Sequence, residues 1–329
     1  MTPAARAGAP PPLLALLGPT GVGKTRLAAA LAERLPIEVV SVDSRQVYRR
    51  MDIGTGKPSP AERAAVRHHL LDLVEPDEVY DAARFARDAA AAIEDIRARG
   101  RWPVLVGGTG LYYRALVRGL EPRPPADPAL RAALRAEARA RGPEALHRRL
   151  AALDPASAAR LHPRDQVRLV RALEVALARE AAPSPAAPSP APRTWSRGGP
   201  PARPVVAFGL TAPRALLYAA LDARIDRMVA AGLLAEVRGL LAAGFDAALP
   251  AMQGIGYRQL IPVARTGAGL AAAVATTKRD TRRYAKRQWT WFAREPGLTW
   301  IETRPGEIHP ALEHLLEGIR AAQAAAGDR

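Results

Sequence analysis

Apolar residues come in short unbroken runs through the first part of the chain. Each run is followed by a loop and then by a stretch of helical period. The run "PLLALLG" has no polar alternation and reads as a strand buried on both faces. "GPTGVGKT", Gly18 to Thr25, follows it, and "RLAAALAERL" predicts a helix from Thr25 to about Leu35. "IEVVSVDS" is a second strand ending at Asp43, "YDAARFARDAAAAIEDIRARG" a long helix stopped at Gly100, and "WPVLVGG" a third strand. Strands alternating with helices predict a parallel α/β sheet, in which ligands bind at the carboxyl ends of the strands. The loop, Asp43 and the stretch Gly107–Gly110 therefore belong to one rim.

From about Leu120 the pattern becomes helical, in "DPALRAALRAEARARGPEALHRRLAAL" and "RDQVRLVRALEVALARE". Strand character returns only at "PVVAFGL", and the C-terminal part is again helix-rich. Between them, 181–204 is Ala/Pro-rich and has the composition of an extended linker. The expected architecture is a P-loop NTPase-like parallel sheet flanked by helices, with an all-helical insertion. Its core comprises 1–120 and 200–329, and the insertion comprises 121–199.

Composition narrows the function. In 329 residues there are no cysteines, which excludes disulfides and thiolate metal sites and suits a reducing cytoplasm. No apolar stretch is long enough to span a bilayer, so no membrane role is expected. The opening residues read as a tail leading into the first strand, because a cleaved signal would take the strand that supports the loop with it. The net charge of +16 asks for a polyanionic partner. It is unevenly placed: 1–117 holds 16 basic and 13 acidic residues, whereas 131–171 holds 10 Arg and 4 acids. That concentration favours nucleic acid over a generally basic surface. Only four lysines occur, Lys24, Lys57, Lys278 and Lys286, and each marks a position where a compact point charge is useful.

The loop has the G-x-x-x-x-G-K-T spacing whose backbone N–H groups and helix N-terminus cradle a di- or triphosphate. Lys24 supplies positive charge, and the Thr25 hydroxyl is placed to ligate Mg²⁺. Asp43 at its strand tip admits three roles: metal carboxylate, general base or cap of the following turn. Ser44, Arg45, Gln46 and Tyr48 beside it form a polar cluster suited to a nucleobase. Gly107, Gly108 and Gly110 are expected to let backbone approach a ligand, with Thr109 a donor and Tyr112 and Tyr113 packing groups. Arg164, Arg168 and Arg171 fall at helical spacing, with Gln166 among them, and in so basic a region they are expected to contact phosphate rather than form a merely solvated face. "TKRDTRRYAKRQWTWF" interleaves basic residues with Tyr284, Trp289, Trp291 and Phe292, the last two assigned to the core. Adjacent His68 and His69 point apart on a strand and are not expected to bind metal.

Taken in order, "GPTGVGKT", "VDSRQVYRRMDIGTGKP", "HHLLDLVEPDEVYDAARF", "PVLVGGTGLYYRAL", "LHPRDQVRLVRALEV", "LDARIDRMVAAGLLAEV", "QGIGYRQL" and "TRRYAKRQWTWF" resemble the bacterial tRNA dimethylallyltransferase family over about residues 13–294. The resemblance implies prenyl transfer from dimethylallyl diphosphate to N6 of adenine 37 in the tRNA anticodon stem-loop, within A36-A37-A38. The loop, Gly18, Pro19, Thr20, Gly21, Val22, Gly23, Lys24 and Thr25, then holds a diphosphate leaving group with Mg²⁺ on Thr25. Asp43 becomes the base, with Thr20, Lys24 and Arg224 as its catalytic companions. The implied tRNA contacts are Asp43, Ser44, Arg45, Gln46 and Thr109, then Arg131, Gln166, Val167, Arg168, Leu169 and Val170. Further along they are Gln253, Gly254, Lys278, Arg279, Arg282, Arg283, Lys286 and Arg287. The expanded 181–204 segment departs from the family's short Gly-containing turn and leaves the chemistry untouched. A monomer with no obligate protein partner is expected. The competing readings are a small-metabolite kinase, which leaves the charge clusters unused, and a non-catalytic RNA-binding ATPase, which leaves Asp43 unused.

Overall fold

The computed structural model describes residues 13–120, 124, 126–181, 205–304 and 307–327. The Ala/Pro segment, apart from its first residue, and the N-terminal tail lie outside the described residues. Two compact units separate, 1–120 with 199–329, and 121–198.

In the first unit, β1 (Leu13–Leu17), α1 (Lys24–Ala32), β2 (Ile37–Val42), α2 (Pro60–Ala65) and β3 (His68–His69) come in chain order. They are followed by α3 (Ala82–Ala98), β4 (Trp102–Gly107) and α4 (Gly110–Arg118). All strand pairs are parallel, in the order β3-β2-β4-β1-β5-β6, with β5 at Val205–Thr211 and β6 at Leu298–Glu302. Every residue of β1 and β2 is buried, as strands covered on both faces require. The register aligns the strand ends: Leu17 lies opposite Gly107 and Gly209, and Val42 opposite Gly107. The loops leaving β1, β2 and β4 therefore emerge at one rim.

α3 begins where the Asp81 carboxylate accepts the N–H groups of Ala83 and Arg84, at 3.0 and 2.9 Å. Its buried residues, Phe85, Ala89, Ile93 and Ile96, fall at helical spacing, and Phe85 stacks on Tyr112 at 4.5 Å. Tyr112 and Tyr113 are both buried in the core, as expected. α1 ends three residues before the expected Leu35. The C-terminal part is not purely helical either. After α9 (Arg214–Ala230), α10 (Leu233–Ala242), α11 (Tyr257–Thr266) and α12 (Leu270–Phe292), β6 adds an edge strand to β5, and α13 (His309–Gly327) follows. Only Ile301 of β6 is buried, so it carries little of the pattern by which strands are read.

The second unit comprises α5 (Pro128–Arg141), α6 (Pro143–Leu153), α7 (Pro155–Ala158) and α8 (Gln166–Ala181). Its core includes Leu134, Leu146, Leu150, Leu169, Val170 and Leu173. Buried Glu174 is held by Arg131, which reaches it through Nε and Nη2 at 2.9 to 3.2 Å, and by Arg171.

His68 and His69 form β3, and among the described residues no cluster of His, Asp or Glu is suited to a metal. His69 instead meets the buried carboxylate of Glu38 at 2.7 Å, and Arg99 grips the same group through Nε and Nη2 at 3.1 and 2.7 Å. Burial raises the Glu38 pKa, but the hydrogen bonds from Arg99 and His69 outweigh it and hold it at about 2. A carboxylate whose folded pKa lies below its unfolded 4.5 stabilises the fold above pH 4.5 and loses that contribution as pH falls toward 2. Glu38→Gln is expected to cost about 3 kcal/mol at pH 7, the scale of breaking a buried ion pair. Denaturant unfolding at pH 7 and pH 3 should show a smaller loss on acidification for the variant than for the parent chain.

Candidate active site

The loop after β1 turns at Gly18, whose φ of +141° suits glycine, and where a Cβ would fall 2.4 Å from the Leu210 carbonyl. α1 starts at Lys24 with no side-chain cap, so its first N–H groups are open to an anion. Lys24 Nζ donates to the carbonyls of Gly18 and Pro19 at 2.9 and 2.7 Å. Burial lowers its pKa from 10.5 to about 7, with Asp43 opposing the shift and Arg224 adding to it. The Thr303 hydroxyl braces the loop from below, 3.0 Å from the carbonyls of both Val22 and Thr211.

Asp43 follows β2. Its Oδ1 accepts the N–H groups of Arg45 at 2.8 Å and Gln46 at 3.3 Å. That oxygen therefore caps the turn, one of the three roles open from sequence. Oδ2 has no protein hydrogen bond among the described residues. Burial raises the Asp43 pKa above its usual 3.8 against the pull of those N–H groups and of Lys24. Arg224 on α9 is also half-buried, its pKa lowered by burial while Asp43 raises it, and its Nη2 is 3.5 Å from the Gly56 carbonyl. Lys24, Asp43 and Arg224 thus feel one another's charge, yet among the described residues no ion pair joins them.

The segment after Asp43 is held in place by the rest of the chain. Ser44 N–H donates to Thr109 Oγ1 at 3.1 Å, and Thr109 N–H donates to the Val42 carbonyl at 3.1 Å. Arg45 donates to the Pro250 carbonyl at 2.6 Å. The Gln46 amide accepts from Ser41 at 3.0 Å and donates to Gly56 at 3.1 Å, so both its ends serve the loop. Lys57 donates to the Tyr48 carbonyl and to Asp52 and Asp72, a structural use of a rare lysine.

Sequence reasoning missed three supporting residues. Glu236 accepts the N–H groups of Asp52, Ile53 and Gly54 at 2.7 to 3.0 Å and the Tyr257 hydroxyl at 2.6 Å. Gln288 accepts the Thr20 N–H and donates to the Gly108 carbonyl, both at 2.9 Å. Thr303 completes the set. Nothing in local sequence marks them, since each acts on a segment remote from itself.

The glycines after β4 correct an expectation. The space beside them is filled by the chain's own side chains. A Cβ at Gly108 would fall 2.2 Å from Gln288 Nε2, and one at Gly110 would fall 2.3 Å from Trp291. Trp291 also lies under the Arg114 guanidinium, and Phe292 is fully buried.

The basic helix α12 divides its charges. Lys278 pairs with Asp226 at 2.7 Å and Arg282 with Asp222 at 2.6 Å, both acids on α9. Arg279, Arg283, Lys286 and Arg287 face solvent, the first two 3.7 Å from Asp280. Gln253 is exposed and donates to the Ala247 carbonyl at 2.7 Å, whereas Gly254 is buried. In the helical unit, Val167 is 81% exposed and Arg168 is exposed beside Asp165. Gln166, at the start of α8, is half-buried. Leu169 and Val170 are buried in that unit's own core, so their side chains pack and do not face a ligand. Arg131 is committed to Glu174.

Lys24 has a stability signature of its own. Its folded pKa of about 7 lies below the unfolded 10.5, so between these values the unfolded chain holds a proton that the folded chain lacks. Its contribution to unfolding free energy therefore rises with pH across that window. Lys24→Met is expected to lose this rise and to be more stable than the parent at pH 6, with the advantage shrinking at pH 9. Denaturant unfolding at the two pH values checks it.

Comparisons with known proteins follow this geometry. A family model described as IPP transferase matches residues 46–295. A tRNA dimethylallyltransferase from Geobacter metallireducens is 47% identical over 304 residues, covering 92% of this chain and 96% of its own. Another from Anaeromyxobacter dehalogenans is 51% identical over 289 residues, covering 88% and 94%. Among solved structures, the full-length tRNA isopentenylpyrophosphate transferase of Bacillus halodurans is similar at 36% identity and a TM-score of 0.68, over 96% of this chain and 99% of that one. A eukaryotic dimethylallyltransferase acting on tRNA is similar at 26% identity and a TM-score of 0.69, over 88% and 73%. On the strand-loop-helix phosphate site, the strand-tip Asp43 and these matches across most of its length, the chain belongs to the IPP transferase family, that of the tRNA dimethylallyltransferases.

Proposed function

We propose that this chain transfers a dimethylallyl group from dimethylallyl diphosphate to N6 of adenine 37 in tRNA. The observation that carries the reading is Asp43, a carboxylate of raised pKa with one oxygen tied to the turn and the other unpartnered, facing the charges of Lys24 and Arg224. In the proposed step the N6 lone pair bonds to the allylic C1. The C1–O bond breaks with its electron pair leaving on the diphosphate, and the N6 proton passes to Asp43 Oδ2. A carboxylate whose pKa is raised by burial is a stronger acceptor for that proton than a solvated one. Lys24, Arg224 and the loop N–H groups oppose the negative charge that grows on the leaving group. The Thr20 hydroxyl, without a protein partner among the described residues, is free to donate to the diphosphate.

Mg²⁺ fits this site. The Thr25 hydroxyl has no protein hydrogen bond among the described residues, and no cage of carboxylates or imidazoles competes for the ion. Mg²⁺ commonly takes few protein ligands and completes its shell with phosphate oxygens and water. Bound there, it would neutralise charge on the diphosphate.

The tRNA is read as the anticodon stem-loop carrying A36-A37-A38, its adenine 37 flipped out to reach the donor. Solvent-facing Arg279, Arg283, Lys286 and Arg287 suit phosphate contacts, as does Arg168 on the helical unit. Arg45, Ser44 and Thr109 border Asp43 and suit the base. The proposed protein is a cytoplasmic monomer. Among the described residues no helix is long and apolar enough to cross a membrane.

The test is a transfer assay with Mg²⁺, labelled dimethylallyl diphosphate and unmodified tRNA carrying A36-A37-A38. Label is expected on A37. Asp43→Ala is expected to lower turnover by about 10² to 10⁴, the usual worth of a general base, with a much smaller loss of tRNA affinity. Near-parental turnover by that variant would sink the base assignment. Absence of label with intact tRNA binding would sink the donor.

A further inference from the structure

α12 buries one continuous stripe, Ala273, Thr277, Thr281, Ala285, Gln288 and Phe292. Gln288 is the largest polar side chain in it, only 7% exposed, and its amide is paired at both ends. Oε1 takes the Thr20 N–H of the phosphate loop, and Nε2 donates to the Gly108 carbonyl of the loop after β4. Two rim loops that leave different strands are thereby joined through one side chain. Burying an amide is costly unless both ends find partners, so the bonds and the stripe's packing stabilise each other.

The contact has no slack. The position of a Cβ on Gly108 is 2.2 Å from Nε2 and 3.2 Å from the Gly18 carbonyl. The Thr20 N–H, turned toward Gln288, is not presented to a ligand. The Thr20 hydroxyl and the N–H groups at the start of α1 remain for one. Gln288 thus determines which donors of the phosphate loop face the site.

We propose that Gln288 is a positioning residue for donor binding. By accepting the Thr20 N–H at Oε1 while donating from Nε2 to the Gly108 carbonyl, it sets the loop in the shape that binds diphosphate. This rests on the reading of that loop as the diphosphate site.

Gln288→Met keeps the volume and removes both bonds. The KM for dimethylallyl diphosphate is expected to rise about tenfold or more, the scale of one to two lost hydrogen bonds. The thermal midpoint is expected to fall modestly, because the Gly108 carbonyl loses its partner, while the KM for tRNA stays at the parental value, which a merely structural role would not allow. Calorimetric titration with inorganic diphosphate and Mg²⁺, in the absence of tRNA, should show the same weakening without any turnover. Gly108→Ala attacks the contact from the other side, since its methyl must displace the Gln288 amide. It should give the same donor-specific defect, and the double variant should be no worse than either single one. It also carries the test if Gln288→Met does not fold. Variants that bind diphosphate as tightly as the parent, or that raise both KM values alike, overturn the proposal. A parent chain that does not bind diphosphate at all overturns the reading of the loop itself.

Discussion

Leu17 lies opposite Gly107 on one side and Gly209 on the other, while Val42 is also paired with Gly107. This parallel register is the constraint on which the site depends. It brings the ends of β1, β2 and β4 to one level, so that the phosphate loop, Asp43 and Thr109 leave the sheet side by side. Because β1 and β2 are apolar on both faces, alternation does not set this register; the loops, helices and interlocking side chains packed on the sheet do. The precision of the rim is inherited from packing that has nothing to do with chemistry.

Around that rim the chain treats two sets of polar groups differently. The supporting groups are satisfied: Glu236 by three N–H groups and a tyrosine, Lys57 by a carbonyl and two carboxylates, Gln46 by Ser41 and Gly56. The groups proposed to react are hydrogen-bonded to backbone but have no ion-pair partner among the described residues. Burial lowers the pKa of both Lys24 and Arg224, Arg224 adding to the shift of Lys24, and burial pushes Asp43 toward its neutral form. Leaving charges desolvated and unpaired costs stability, and such shifted groups gather where a ligand is to complete the electrostatics. The satisfied frame holds the unpaired groups at their stations.

The rest of the basic character is sorted in the same way. Arg131, Arg171, Lys278 and Arg282 are spent on internal carboxylates. Arg279, Arg283, Lys286 and Arg287 keep their heads in solvent. A charge count treats all of these alike. Which ones can meet a polyanion depends on the acids placed beside them by neighbouring helices, here Asp222 and Asp226 on α9.

By itself the sequence determined the parallel α/β architecture, because unbroken apolar runs must be buried on both faces. It also determined the phosphate loop and the strand-tip position of Asp43, because spacing and strand ends are local properties. The helical character of the inserted unit and the core roles of Tyr112, Tyr113 and Phe292 were legible for the same reason. Tertiary structure alone decided the remainder. Leu169 and Val170 turn out to be core, the glycines after β4 admit Gln288 and Trp291, and β6 joins the sheet with one buried residue. Glu236, Gln288 and Thr303 carry no local signature, since each satisfies backbone or side-chain groups far away in the chain. Hydrogen bonds and burial between remote segments are set by where the sheet register and helix packing bring them, and no window along the chain contains both partners.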